Sequence, residues 1–198
     1  MNDPAYKVEC ARIQDITAML NMEKTYFDSC WHSEPAVIRG LIEQEPMMFR
    51  VCKINGKLKG YYWVFPLEYS IWKQVITGKM NEGKMIKHIK SLAEPNLYLY
   101  ISSVIVDQND EMRKTYTKAL VRDFGRNFIL GLKKQTSNIR AVGAITISAG
   151  GRRLMEKAKF SYKGSFNQSG NIARTYAINH ENLLKQAMDF REERLVKA

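Results

Sequence analysis

The chain has 198 residues, 45% of them apolar, 11% aromatic and 26% charged, which excludes disorder and collagen and allows one substantial core. No apolar run reaches the roughly 18 residues that a bilayer span needs, and the first twenty residues, with Asp3, Glu9 and Asp15, lack the basic-then-apolar layout of a signal peptide. Against 20 Asp and Glu stand 31 Lys and Arg; the net charge of +11 asks for an anionic partner without choosing among nucleic acid, a nucleotide-bearing cofactor, an acidic carrier protein and an anionic membrane surface.

Tyr6 to Arg12 alternates as a short strand does, and Asp15 is placed to cap a helix running through Ile16, Met19, Leu20 and Glu23 to Phe27. A second helix is expected from Glu34 to Glu43, with Pro35 at its start, Val37, Ile38, Leu41 and Ile42 as its apolar stripe, and Pro46 forbidding continuation. Met47–Ile54 and Leu58–Phe65 are apolar runs separated by Asn55-Gly56, a dipeptide that tolerates positive φ and so favours a two-residue hairpin turn. Residues 68–95 break this rhythm and read as an excursion of short helices divided by Gly78, Gly83 and Pro95.

Leu97–Val106 predicts a long buried strand, followed by a polar loop from Asp107 to Lys114 and a helix from about Thr115 to Lys133 that contains Gly125 and Gly131. Ile139–Ile147 is a further strand, Gly150–Lys159 a helix, and Ser161–Phe166 with Ile172–Ile178 a closing hairpin whose loop is Asn167–Asn171. From Glu181 onward the tail is an amphipathic helix carrying Leu183, Leu184, Ala187, Met188, Leu195 and Val196, and docking on its own chain is the expectation for it. The expected organisation is a single domain over residues 1–180 with a helical insert at 68–95, and a C-terminal helix at 181–198. The expected class is α/β (α+β), layers around one sheet.

Cys10, Cys30 and Cys52 are too few and too scattered for a disulfide framework, so a reducing cytoplasm is expected. His32, His88 and His180 lie far apart and outside any zinc-chelating spacing, so no metal is expected.

The element order, together with the stretch from Ser148 to Phe160, resembles the GNAT superfamily of acyl-CoA-dependent N-acyltransferases over roughly residues 6–178. Leu154, Glu156, Lys157 and Phe160 match that family's pattern, while Ser148 stands where Asn is usual, Met155 where Tyr is usual and Lys159 where Gly is usual. The family's phosphate loop lies between its fourth strand and the next helix, where backbone N–H groups wrap the cofactor pyrophosphate and glycines allow the close approach. Here Val106 fits its leading Val and Leu120 its final Leu, Met112 takes the arginine position, and the three glycine positions become Arg113, Thr115 and Thr117. The resemblance implies a mixed sheet of about seven strands with helices on both faces. It also implies acetyl-CoA or another acyl-CoA as cosubstrate, held by Arg113, Lys114, Thr115 and Thr117, by the strand at Val104 and Val106, and at Ser148.

The same resemblance implies direct attack of an amine on the thioester, with a base to take the amine proton. Met155 cannot act as the family's usual thiolate-protonating Tyr; Tyr61, Tyr62, Tyr98 and Tyr162 are polar residues near the implied cleft, and Tyr100 and Ser102 on the long strand are the candidates taken as catalytic. The function implied is N-acyl transfer, most simply acetyl transfer, to an amine of a small molecule or protein. The alternative is a GNAT-like binding or regulatory protein without turnover, whose basic surface engages nucleic acid or an acidic protein. Nucleic acid ranks below acyl-CoA because no recognition-helix signature or dense basic cluster is present, no membrane partner is expected, and monomer and homodimer both remain open.

Overall fold

A computed structural model of the chain describes residues 6–134, 139–168 and 170–192. Strands β1 (Tyr6–Cys10), β2 (Phe49–Ile54), β3 (Lys57–Leu67), β4 (Leu97–Val106), β5 (Ile139–Thr146), β6 (Ser161–Gln168) and β7 (Asn171–Asn179) form a seven-stranded mixed sheet, in the order β1-β2-β3-β4-β5-β7-β6, with helices flanking it. This is the α/β arrangement that the hydrophobic pattern predicts. The chain divides into two compact units, one comprising residues up to Trp63 with Ser103–Asp123, the other Val64–Ser102 with the residues from Phe124 onward.

In the first unit, β1, β2 and β3 pair antiparallel in succession. The β2–β3 turn has Asn55 at φ 49° and Gly56 at φ 76°, two consecutive positive values that match the twist of a tight hairpin. Helices α1 (Ile16–Tyr26), α2 (Pro35–Gln44) and α5 (Arg113–Asp123) also belong to this unit, and Met19, Ile38, Phe49, Val51 and Tyr61 are among its most deeply buried side chains.

Asp15 is not the side-chain cap of α1 that the sequence suggests. It sits in a 3-10 turn, Ile13–Asp15, where its carboxylate accepts the Arg12 N–H at 2.9 Å and meets the Lys53 ammonium at 2.7 Å. A buried carboxylate needs a compensating charge, and Lys53 of β2 supplies it. A second buried pair ties α5 to the strands. The Arg50 guanidinium donates to both Asp123 oxygens, at 2.8 and 2.7 Å, and the Tyr62 hydroxyl donates to the same carboxylate at 2.8 Å. Burial opposes the charge on Arg50, but Asp123 outweighs it and the guanidinium pKa is raised; burial and Asp123 push the Tyr62 phenol well above its usual range.

In the second unit, the segment between β3 and β4 forms α3 (Tyr69–Ile76), α4 (Glu82–Met85) and a 3-10 turn at Ile86–His88. It is tied to the strands: Trp72 Nε1 donates to the Leu99 carbonyl at 2.9 Å and Thr175 Oγ1 to the Ile76 carbonyl at 2.8 Å. At Gly143 of β5 a Cβ would lie 2.9 Å from Ile76 and from the Trp72 ring nitrogen, so only glycine admits α3 at this distance. β4 and β5 pair in parallel from Leu97↔Ile139 to Ile101↔Ala144, and β4 then runs on to Val106.

The single helix expected from Thr115 to Lys133 starts two residues earlier, at Arg113, and is interrupted. After α5 the chain widens into a π-helical segment, Phe124–Ile129, before α6 (Leu130–Lys134), and Gly125 lies where the widening begins. Phe124 and Phe128 stack one turn apart, 5.7 Å between ring centres, and α8 (His180–Glu192) packs on this segment with Leu183 and Ala187 buried. Leu195 and Val196 lie outside the described residues. The hairpin loop is shorter than the expected Asn167–Asn171, since β6 extends to Gln168 and β7 begins at Asn171.

Helix α7 (Ala149–Lys157) ends in a left-handed residue, Lys159 at φ 51°. The Lys159 N–H donates to the Glu156 carbonyl and the Phe160 N–H to the Met155 carbonyl, both at 2.9 Å, and Met155 and Phe160 are buried. These paired bonds form a Schellman end, whose left-handed position favours glycine. That requirement explains why the resembling family carries Gly where this chain has Lys159.

Two stability changes are expected. Asp123→Ala leaves the Arg50 charge buried without its partner and should cost about 3–5 kcal/mol in urea unfolding; a loss under about 1 kcal/mol would contradict the assigned role. Lys159→Gly relieves about 1–2 kcal/mol of left-handed strain against about 0.5–1 kcal/mol of added chain freedom, so its melting temperature should rise slightly rather than fall.

Candidate functional site

Two of the predicted site residues meet on a third that the sequence reading missed. In the second unit the Glu82 carboxylate accepts the Tyr100 hydroxyl at 2.6 Å on one oxygen and the Ser102 hydroxyl at 2.9 Å on the other. α4 is only four residues long, so its placement comes from its surroundings: Asn81 Oδ1 caps it by accepting the Lys84 N–H at 2.9 Å, and Met85 is fully buried. Tyr100 is 1% exposed, while Glu82 and Ser102 are half-buried. Burial first, and the Glu82 charge second, push the Tyr100 phenol well above its usual range, so it stays protonated and serves as a hydrogen-bond donor to Glu82. One signal for Glu82 was present in the sequence: it is the one carboxylate among residues 69–93, a stretch that otherwise carries five lysines.

The first unit contains the segment that the resemblance matches to a phosphate loop. Val104 is half-buried and Val106 buried in β4. Beyond them Asp107 Oδ1 accepts the Asn109 N–H at 3.2 Å, and Asp110 Oδ1 accepts the Met112 N–H at 2.8 Å and the Tyr116 hydroxyl at 3.0 Å. Lys59 of β3 neutralises both, 2.7 Å from Asp110 and 3.4 Å from Asp107. The bond from Lys59, then the Met112 N–H, hold the Asp110 carboxyl below its ordinary range, and Lys59 is raised in turn. Of the loop amides, those of Asn109 and Met112 are engaged by carboxylates, while at two of the positions matched to the family's glycines the Arg113 N–H donates to the Asp110 carbonyl at 3.1 Å and the Thr115 N–H to the Met112 carbonyl at 2.8 Å.

Arg113 and Lys114 are exposed on the first turn of α5, Thr115 is half-buried, and Thr117 Oγ1 donates to the Arg113 carbonyl at 2.8 Å, so its proton stays within the helix. The residues present fit a phosphate through these two side-chain cations and not through an amide cradle.

In the second unit Ser148 is the N-cap of α7, its Oγ accepting the Gly151 N–H at 3.0 Å. The other tyrosines considered are occupied or turned elsewhere: Tyr61 donates to the Met19 carbonyl, Tyr62 to Asp123, Tyr98 packs between Tyr69 and Trp72, and Tyr162 is 56% exposed on β6. Among the described residues no group of three metal-ligating side chains occurs, and no helix is long and apolar enough to cross a membrane.

No protein-family model matches the sequence, and no curated protein matches it. Solved structures do match in fold. Ard1 from Thermoplasma volcanium superposes with a TM-score of 0.59 at 15% identity, covering 88% of this chain and 97% of its own. The loading GNATL domain of CurA from Lyngbya majuscula reaches 0.64 at 10% identity over 88% of this chain and 98% of its own. The GphF GNAT-like decarboxylase, solved with isobutyryl-CoA, reaches 0.63 at 10% identity over 87% and 98%. At these identities the likeness concerns the backbone arrangement, and by it the chain has the GNAT fold.

Proposed function

We propose that this protein is an acyl-CoA-dependent N-acyltransferase in which Glu82 is the general base. The observation that carries the reading is the Glu82 carboxylate held by Tyr100 and Ser102 on β4. Ser102 follows directly on Ile101, where the β4–β5 ladder ends. Support for the cosubstrate comes from neighbours whose structures contain acetyl-CoA or isobutyryl-CoA. The free thiols of Cys10 and Cys52 suit the reducing cytoplasm proposed for it.

Acyl-CoA, when bound, supplies a thioester carbon open to attack and a thiolate able to leave. β4 beyond Ile101, including Val104 and Val106, offers backbone groups to an extended pantetheine arm, and Arg113 and Lys114 offer charge to the phosphates. Glu82 takes the proton of the attacking amine as the C–N bond forms and the C–S bond breaks, and the thiolate takes its proton from water. Ser102 and Tyr100 orient the carboxylate. Tyr100 is buried, so it is a positioning residue rather than one that touches substrate.

One observation favours the alternative, a GNAT-fold protein that binds its partner without turnover: the carboxylates of Asp107 and Asp110 occupy two of the loop amides, those of Asn109 and Met112. Titration calorimetry with acetyl-CoA and free coenzyme A decides between them, because the transferase reading requires binding and the alternative does not. Arg113→Ala with Lys114→Ala should weaken that binding about tenfold and flatten its salt dependence. Asp110→Asn, which frees the loop from a negative charge, should tighten it.

In thiol-release assays with an amine acceptor, Glu82→Gln should lower kcat by about 10² to 10⁴-fold with little change in coenzyme A affinity. Tyr100→Phe should lower kcat less, and should add nothing in the Glu82→Gln background, because it acts through Glu82. Undiminished turnover in Glu82→Gln would remove Glu82 from the mechanism.

A further inference from the structure

Resting on the transferase reading, we infer that the acceptor is an amine borne by an acidic polypeptide, which docks on the lysine-rich segment between β3 and β4. Residues 69–93 hold five lysines, one glutamate and no arginine or aspartate, a net charge of +4 from five minus one. Lys73, Lys79, Lys84 and Lys87 are exposed, as is His88, and none of the four lysines makes an ion pair among the described residues. Lys73 lies over the Tyr69 ring at 5.7 Å, and Lys90 pairs with Glu94 at 3.2 Å.

A loose basic loop would be an ordinary solvated surface, but this segment is anchored. Trp72 is bonded to the Leu99 carbonyl, the Ile76 carbonyl accepts from Thr175, and Phe166 packs where Gly78 leaves no room for a Cβ. The backbone around α3 is therefore held against the strands, and the lysines lie on the same segment that carries Glu82, the proposed base. Positive charge around a base that must receive an amine repels a free polyamine, so the acceptor has to bring negative charge of its own. Lysines spread from the end of α3 through α4 to the 3-10 turn at Ile86–His88 exceed the reach of a small amino acid and suit a chain of several carboxylates. Nucleic acid shares the negative charge, but its bases and phosphodiesters offer no aliphatic amine. The segment also lacks arginine, whose planar fork suits phosphate.

Fluorescence anisotropy on the full chain tests this with three probes: a labelled peptide with a free N-terminal Ala followed by alternating Asp and Glu, the same peptide with lysines in their place, and a single-stranded oligonucleotide. The acidic peptide should bind, more weakly at high salt, and the basic one should not. A Lys79→Glu, Lys84→Glu, Lys87→Glu variant, with wild-type circular dichroism, should weaken acidic-peptide binding about tenfold. Equal binding of both peptides, unchanged affinity in the triple variant, or a preference for the oligonucleotide would overturn the inference. The acyl-transfer arm separates the two readings. Acidic-peptide binding with neither coenzyme A binding nor acyl transfer keeps the surface and rejects the transferase. Acyl transfer that is equally efficient to acidic and uncharged acceptors keeps the transferase and rejects the surface.

Discussion

The bidentate pair between Arg50 and Asp123 is the interaction on which the first unit depends. Both groups are almost without solvent, 9% and 2% exposed in their side chains, and Tyr62 shares the carboxylate. Such a pair is strongly unfavourable when half of it is missing, so β2, β3 and the last residue of α5 are bound to a common geometry. With its C-terminal end fixed, α5 presents a first turn at Arg113 and Lys114 in a definite place. The loop before it is fixed by another charge, Lys59, held against Asp107 and Asp110. Charge neutralisation inside the chain thus orders the loop, and two of its amides, those of Asn109 and Met112, are taken up by the same carboxylates.

In the second unit the corresponding constraint is packing. Gly143 lets α3 close on β5, Trp72 bonds a strand carbonyl, and the short helix α4 that follows is carried to β4. Glu82 reaches Tyr100 and Ser102 only because of that chain of contacts. A carboxylate accepting two hydroxyls is held in one orientation, which is the positioning a general base requires.

Strands and helices driven by strong periodicity were legible in the sequence. β4 has the bounds that its apolar run announces, and the Asn55-Gly56 hairpin turn has the positive φ values that its composition demands. What the sequence could not display were partners distant along the chain. Asp15 reads as a helix cap until Lys53, 38 residues away, claims its carboxylate. The break after α5 rests on a π-widening covered by a helix more than fifty residues later, and Gly125 alone gave only a hint of it. Tyr100 and Ser102 are legible as polar residues on the long strand that the family resemblance places near the cleft. Glu82 lies in a segment whose pattern shows only short helices, and its isolation among lysines carries meaning only once α4 is seen to reach β4. Lys159 shows the converse, a residue that departs from the family's usual type while the backbone keeps the left-handed turn.

On the proposed function an acyl-CoA arm lies along the part of β4 that runs past its pairing with β5. Amide hydrogen exchange, followed with and without coenzyme A, tests it most directly. Coenzyme A should add protection at Ser102–Val106 and in the first turn of α5. Binding detected by calorimetry with protection elsewhere, and none along Ser102–Val106, would contradict it.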